Sequence, residues 1–122
     1  MPRFVVLKHD WNGVHYDLML ERDAILRTWS LPTPLAEDRA ILANALPDHR
    51  MAYLDYEGPV SRERGNVSRV AQGEYAVCHW TDDRIEVELH GDQLNGKLVL
   101  WLAETGESAR TAEWWVRFGK RD

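Results

Sequence analysis

The sequence predicts an all-β fold, a small antiparallel barrel or sandwich with at most one short helix. Short apolar segments separated by turn residues dominate the chain. Residues 84–89 alternate apolar and charged side chains, which is the pattern of a strand with one buried face. Pairs such as Asn95 and Gly96 lie at breaks between segments, where hairpin turns are expected. Many short strands at such spacing are typical of barrels and sandwiches.

The predicted strands follow one another along the chain, with turn residues or prolines between them. The turn that ends at Gly13 separates the first two strands, and Pro32 ends the third. Only residues 35–46 have a helical pattern. An extended conformation of residues 41–46 competes with it, and Pro47 is expected to end the segment. The predicted strands are residues 4–7, 15–21, 24–31, 74–80, 84–89, 96–102 and 113–118.

Length and composition indicate one globular domain, residues 1–122. The formal charge of −5 argues against binding to nucleic acid through bulk charge, so such binding would need a local basic pocket. The single cysteine, Cys78, cannot form an internal disulfide, which fits a reducing cytoplasm. The N-terminus lacks the apolar segment of a signal peptide, and no apolar run approaches a membrane span. We therefore expect a cytoplasmic protein without a membrane partner.

Two histidines and a carboxylate in the stretch KHDWNGVHYDLMLE form a candidate metal site. Alternate residues of a strand share a face, so His15 and Asp17 project together, and a hairpin at residues 10–14 returns His9 beside them. Two histidine ligands and one aspartate ligand leave coordination positions of a metal ion open for water or substrate. This mixture of nitrogen and oxygen ligands suits Mn²⁺, Zn²⁺ or Fe²⁺ better than Ca²⁺. From spacing alone, solvent-facing polar residues on an edge hairpin are the favoured interpretation, because histidine pairs on strands are common without a metal.

A second candidate pair lies downstream, in the stretch PDHRMAYLDYEG. His49 and Tyr53 could both donate hydrogen bonds to a phosphate, or the histidine could act as an acid. On spacing alone, a loop histidine and a packed tyrosine explain the pair better. Nucleophilic catalysis has no support, because the chain has no Gly-x-Ser-x-Gly motif and Cys78 has no evident activating partner.

Taken together, the motifs of the chain resemble those of a known family. In order they are Lys8-His9, His15-Tyr16-Asp17, Leu20-Glu21, Trp29-Ser30-Leu31-Pro32, Asp48-His49, Tyr53 and Asp55-Tyr56-Glu57-Gly58. This order and spacing resemble the 3′-phosphoesterase domain of bacterial DNA ligase D. The stretch at residues 89–97 and the tryptophan-rich segment at residues 114–118 are similar as well, so the resemblance covers nearly the whole chain.

The resemblance implies a small, crescent-shaped antiparallel β-barrel that trims blocked 3′ ends of DNA. It would remove a 3′-phosphate or a terminal ribonucleotide. The resemblance also implies a divalent metal, with Mn²⁺ expected first and Zn²⁺ as the alternative, held by His9, His15 and Asp17. His49 and Tyr53 match the residues that contact the phosphate. All five side chains are therefore candidate catalytic residues.

One position departs from the family's pattern. Where the first motif of the family carries an arginine that grips the phosphate, this chain has Met19, which offers neither positive charge nor hydrogen-bond donors. A nearby arginine could substitute for it, and the candidates are Arg50, Arg64 and Arg69. We expect Arg50, which directly follows His49, to take part in phosphate binding.

Three functional hypotheses follow from these observations. The first is a metal-dependent 3′-end-processing phosphoesterase of DNA repair, acting on the 3′ ends of DNA or RNA-tipped DNA. The second is a catalytically weakened module that binds metal, phosphate or nucleic-acid ends without turnover, which Met19 favours. The third is a docking domain for a separate repair ligase or polymerase. We expect a monomer in each case, and the sequence leaves open whether the chain is an active enzyme.

Overall fold

Eight antiparallel strands close into a barrel, and a ninth, very short strand pairs on its outside. The computed structural model describes residues 1–103 and 112–120. Along these ranges the chain forms β1 (Arg3–Asp10), β2 (Val14–Arg22), β3 (Ile25–Leu31), β4 (Ala40–His49), a 3₁₀ turn (Met51–Leu54), β5 (Gly58–Pro59), β6 (Asn66–Trp80), β7 (Arg84–Gly91), β8 (Asn95–Leu102) and β9 (Glu113–Lys120). β1 pairs with both β2 and β6, which closes the ring in the order β1-β2-β3-β4-β9-β8-β7-β6. The prediction of an all-β antiparallel barrel with at most one short helical segment is confirmed. Over the same ranges, no helix has the length and apolar character needed to cross a membrane.

The interior of the barrel holds the main hydrophobic core. In β7, Ile85, Val87 and Leu89 are fully buried, as the alternation of that segment predicts. Trp29 of β3 and Trp114 of β9 meet edge to face inside the barrel, with ring centroids 5.7 Å apart. Because the ring is closed, each of its strands is paired on both sides, and side chains on its wall are held by a continuous sheet.

The wall formed by β1 and β2 is buried on both of its faces. Val6 and Leu18 belong to the core inside the barrel, whereas Val5, Leu7 and Met19 belong to a second hydrophobic cluster on the outside. The 3₁₀ turn and the segment after it cover this outer cluster. The cover creates a sheltered cleft on the outer face, where polar side chains of β1 and β2 can be shielded from water.

The structure corrects the prediction for residues 35–46. The helical interpretation is wrong from residue 40 onward, because Ala40–His49 forms β4, which pairs with β9 and β3. The competing extended interpretation is confirmed. The expected stop at Pro47 is also wrong, since Pro47 and Asp48 together lie opposite the single residue Arg27 where the register of β3 and β4 shifts. A proline fits such a bulge because the ladder needs no hydrogen bond from it.

The predicted strand at residues 74–80 is only the second half of a longer strand. β6 starts at Asn66, and its first half pairs with β1 while its second half pairs with β7. The exchange of partners occurs at Gly73, where an added Cβ would lie 2.4 Å from the Cα of Gly91. Glycine permits this close approach of two backbones, which lets β6 pair with both β1 and β7.

Candidate metal centre

Strand pairing brings His9 and His15 side by side next to the turn of the β1–β2 hairpin. The two residues are direct cross-strand partners, and Nδ1 of His9 lies 3.1 Å from Nε2 of His15. Asp17 follows on the same face of β2. Its Oδ2 lies 3.5 Å from Nδ1 of His9, and its Oδ1 lies 3.3 Å from Nε2 of His15. The positive φ of Asn12 and Gly13 gives the turn that makes this return possible. The structure thus brings together the three residues that the first motif singled out.

The three side chains fit a divalent metal ion. One donor atom from each residue can be chosen so that all three lie within 4.8 Å of one another. Nitrogen and oxygen ligands with bonds of about 2.1 Å to one ion are separated by about 3.0–3.5 Å, which matches the contacts above. Asp17 is 3% exposed, and nothing in the described part of the chain donates a hydrogen bond to its Oδ1. A buried carboxylate oxygen without a donor is costly, and a bound cation would offset that cost.

The pKa of the Asp17 carboxyl supports the same conclusion. Burial raises this pKa. The positive charge that His15, His9 and His49 carry when protonated opposes the rise, in that order, and so does a hydrogen bond from a protonated His9. The net rise means that neighbouring protein groups compensate only part of the desolvation of the carboxylate. A positive ion at this position would supply the missing compensation.

His9 is oriented by a backbone carbonyl on the side away from the other two ligands. Its Nε2 lies 2.7 Å from the carbonyl oxygen of Arg64. Because a carbonyl oxygen can only accept, Nε2 carries the proton and donates it, and Nδ1 of a neutral ring presents its lone pair toward His15 and Asp17. A hydrogen bond of this kind fixes the tautomer and the ring orientation of metal-binding histidines. The ring of Trp11 stacks on the ring of His9, with centroids 6.0 Å apart.

Gly65 positions the carbonyl of Arg64. The φ of Gly65 is +76°, and an added Cβ would lie 1.9 Å from the carbonyl oxygen of Asp10 and 2.8 Å from Cβ of Trp11. Only glycine therefore allows the loop to approach β1 closely enough for the hydrogen bond to His9. Sequence reasoning missed both the backbone of Arg64 and this glycine. The one signal was an isolated glycine within SRERGNVSRV.

His49 and Tyr53 share a cleft of about 340 Å³ with His9 and His15. Their rings meet edge to face, with centroids 5.4 Å apart. Nδ1 of His49 lies 2.8 Å from the carbonyl oxygen of Pro47, so this nitrogen donates to the backbone and Nε2 remains for a ligand. The end of β4 and the 3₁₀ turn thus bring the second candidate pair to the same cleft as the first.

The three candidate arginines lie in different surroundings. Arg64 lines the cleft, and its guanidinium donates hydrogen bonds to a neighbouring serine. Arg50 lines an adjoining cavity, and Arg69 pairs with Glu57 at 3.3 Å. Met19 is 1% exposed in the outer hydrophobic cluster. The role of Arg50 in phosphate binding stays a prediction, and Arg64 is the arginine of this set that lines the cleft with His9 and His15.

Comparisons with known proteins identify relatives over most of the chain. The family model for the DNA Ligase D 3′-phosphoesterase domain matches residues 7–101. The multifunctional non-homologous end joining protein LigD of Mycobacterium bovis is 30% identical over an alignment of 116 positions, which covers 82% of this chain and 15% of that protein. The protein of the same name from Pseudomonas aeruginosa is 28% identical over an alignment of 125 positions, which covers 93% of this chain and 14% of that protein. The LigD protein of Mycolicibacterium smegmatis is 29% identical over an alignment of 133 positions, which covers 90% of this chain and 18% of that protein. The chain therefore spans less than a fifth of the length of these relatives.

Proposed function

Because the chain belongs to the DNA Ligase D 3′-phosphoesterase domain family, we propose that it is a divalent-metal-dependent phosphoesterase that removes blocking groups from 3′ ends in DNA repair. One observation carries the proposal. His9, His15 and Asp17 form a candidate ion site, and both histidines open on the cleft that His49 and Tyr53 line. A metal site that shares a cleft with two potential phosphate-binding side chains suits hydrolysis of a phosphoester.

His9, His15 and Asp17 would hold the ion, with Mn²⁺ as the first choice and Zn²⁺ as the second. When bound, such an ion supplies a Lewis acid for a phosphoryl oxygen and lowers the pKa of an attacking water. Three protein ligands leave positions for water and substrate. The chain itself keeps the ligands in register through the β1–β2 hairpin and holds the ring of His9 through the carbonyl of Arg64.

The other residues of the cleft would act on the phosphate. The hydroxyl of Tyr53 can donate a hydrogen bond to a non-bridging oxygen. His49, whose Nδ1 donates to Pro47, can donate from Nε2 when protonated, either to the phosphate or to the leaving oxygen. Arg64 would supply the positive charge that Met19 cannot, since charge-assisted contacts stabilise the transferring phosphoryl group.

The substrates that we propose are 3′ ends of DNA or RNA-tipped DNA, blocked by a phosphate or a ribonucleotide. The chain carries a net charge of −5, so a long duplex gains little from bulk electrostatics. Arg64 in the cleft and Arg50 beside it supply local positive charge, which suits binding of a single nucleic-acid terminus. The names of these relatives refer to end joining, and we propose the same context here, with a ligase or polymerase as a partner.

A second candidate function is a module that binds blocked ends without turnover. Met19 favours it, because a buried methionine stands where the family pattern has a phosphate-binding arginine. Removal of one such stabilising contact typically lowers rates by roughly 10²–10³-fold. The same residues would then hold metal and phosphate, but product would not form at a useful rate.

Release of phosphate from a 3′-phosphorylated primer-template in the presence of Mn²⁺ tests the proposal, with binding of the same DNA measured in parallel. An enzyme should release phosphate, and His9→Ala should abolish the release. The control His90→Ala, at an exposed histidine outside the lining of the cleft, should leave it unchanged. Metal-dependent binding without product would establish the binding module instead. If neither release nor binding responds to His9→Ala, both functions are excluded.

A further inference from the structure

A second cavity adjoins the metal cleft, and of its lining residues the chemistry proposed above uses only Tyr53 and the charge of Arg50. Its volume is about 360 Å³, within the range of roughly 300–1,000 Å³ that small-molecule sites occupy. The rings of Tyr53 and Tyr56 line it together with Pro59 and Val60, so its surface is mostly apolar. Arg50 also lines it and adds one positive charge.

A row of three aromatic rings leads from the cleft into this cavity. The ring of His49 meets that of Tyr53 at 5.4 Å, and Tyr53 in turn meets Tyr56 edge to face at 5.8 Å. The hydroxyl of Tyr56 donates to the carbonyl oxygen of Pro59, which fixes the ring while 38% of the residue stays exposed. A fixed and partly exposed aromatic ring is a surface on which a nucleobase stacks.

The cavity and the cleft share two of their lining residues, Tyr53 and Val60. A single ligand can therefore occupy both, with its phosphate in the cleft and a covalently attached group in the cavity. An apolar side chain of another protein would derive no binding energy from the link between the cavity and the cleft or from the charge of Arg50. A planar base joined through a sugar to a phosphate uses the apolar surface, the connection and the charge together.

We propose that this cavity binds the nucleobase of the nucleoside attached to the phosphate in the cleft. The inference rests on the proposed function and adds a substrate preference to it. Tyr56 provides a stacking surface, and Tyr53 joins the base site to the phosphate site. The cavity then distinguishes a phosphoester that carries a base from one that does not.

Calorimetric titration of the Mn²⁺-loaded protein tests this preference with four probes. They are inorganic phosphate, ribose 5-phosphate, adenosine 5′-monophosphate and adenosine 3′-monophosphate. At least one adenosine monophosphate should bind about 5- to 150-fold more tightly than ribose 5-phosphate, the ratio that one stacked base supplies. Tyr56→Leu should abolish this ratio, whereas Tyr56→Phe, which keeps the ring and its edge-to-face contact with Tyr53, should preserve it. Both variants should bind inorganic phosphate like the wild type.

The outcomes separate the inference from the function on which it rests. If Mn²⁺ and phosphate bind but the base adds nothing, or if Tyr56→Leu keeps the full ratio, the base site is refuted and the phosphoesterase proposal stands. If the protein binds neither Mn²⁺ nor phosphate, both fail together. A ratio that disappears in Tyr56→Leu and survives in Tyr56→Phe supports the base site.

Discussion

Gly65→Ala is expected to weaken metal binding although it changes no metal-binding side chain. Gly65 has a φ of +76°, and an added Cβ would lie 1.9 Å from the carbonyl oxygen of Asp10. Because Cβ contacts in proteins stay above 3.0 Å, the loop must retreat from β1 by about 1 Å. The carbonyl of Arg64, the neighbouring residue, now lies 2.7 Å from Nε2 of His9 and would retreat with it.

The structure gives the size of this effect and a matched control. A retreat of about 1 Å takes the bond between His9 and Arg64 beyond hydrogen-bonding distance. Loss of such a partner of a metal-binding histidine typically weakens metal affinity by roughly 10- to 100-fold. The left-handed backbone adds a stability cost of about 1–2 kcal/mol. Gly13 has a φ of +99° with nothing within 4 Å of an added Cβ, so Gly13→Ala carries the backbone cost without the collision.

Mn²⁺ titration by calorimetry, with urea unfolding in chelator as the stability measurement, separates the two effects. Both variants should be less stable than the wild type. Only Gly65→Ala should show the 10- to 100-fold loss of Mn²⁺ affinity. A folded Gly65→Ala protein that binds Mn²⁺ as tightly as Gly13→Ala would refute the role of the Arg64 carbonyl in holding His9.

Three further predictions address other parts of the molecule. Arg64→Ala should slow 3′-phosphate release by roughly 10²-fold. Arg62→Ala, in the same loop but outside the lining of the cleft, should not slow it, and equal rates for the two variants would remove Arg64 from the phosphate site. Met19→Arg should lower the free energy of unfolding by roughly 3–5 kcal/mol, because it introduces an unpaired charge into an apolar cluster. Met19→Leu should lower the free energy of unfolding by less than about 1.5 kcal/mol. If Met19→Arg is as stable in urea as the wild type, the guanidinium does not stay in the apolar cluster. Burial raises the pKa of Tyr75 from 10.0 to about 12, so the folded chain keeps a proton that the unfolded chain loses in this interval. Stability should therefore fall as pH rises from 10 to about 12, and a Tyr75→Phe profile parallel to that of the wild type would contradict this.

Local patterns predicted the part of the site that lies in one hairpin. The period of two along a strand places His15 and Asp17 on one face, and the turn at Gly13 returns His9 to them. The pairing of His9 with His15 follows from turn geometry alone, because a hairpin fixes its own register. No contact with the rest of the chain is needed to foresee this juxtaposition.

The rest of the site depends on contacts between distant parts of the chain. The carbonyl of Arg64 reaches His9 across 55 positions, through a pairing of β6 with β1 that the polar first half of β6 did not signal. Arg50 follows His49 directly, but its backbone is extended, and neighbours in an extended chain point to opposite sides. Arg50 accordingly lines the adjoining cavity, and its role in phosphate binding stays a prediction. The strand through Pro47 likewise required a bulge that only the pairing with β3 creates.

The most direct test of the account is the rate of phosphate release from a 3′-phosphorylated primer-template as a function of Mn²⁺ concentration. Mn²⁺ binding is titrated on the same preparation. We expect one Mn²⁺ per chain, a release rate that saturates as that site fills, and loss of both binding and release in Asp17→Asn. Release that persists in chelator or in Asp17→Asn, or Mn²⁺ binding that Asp17→Asn leaves intact, would contradict a metal centre at His9, His15 and Asp17.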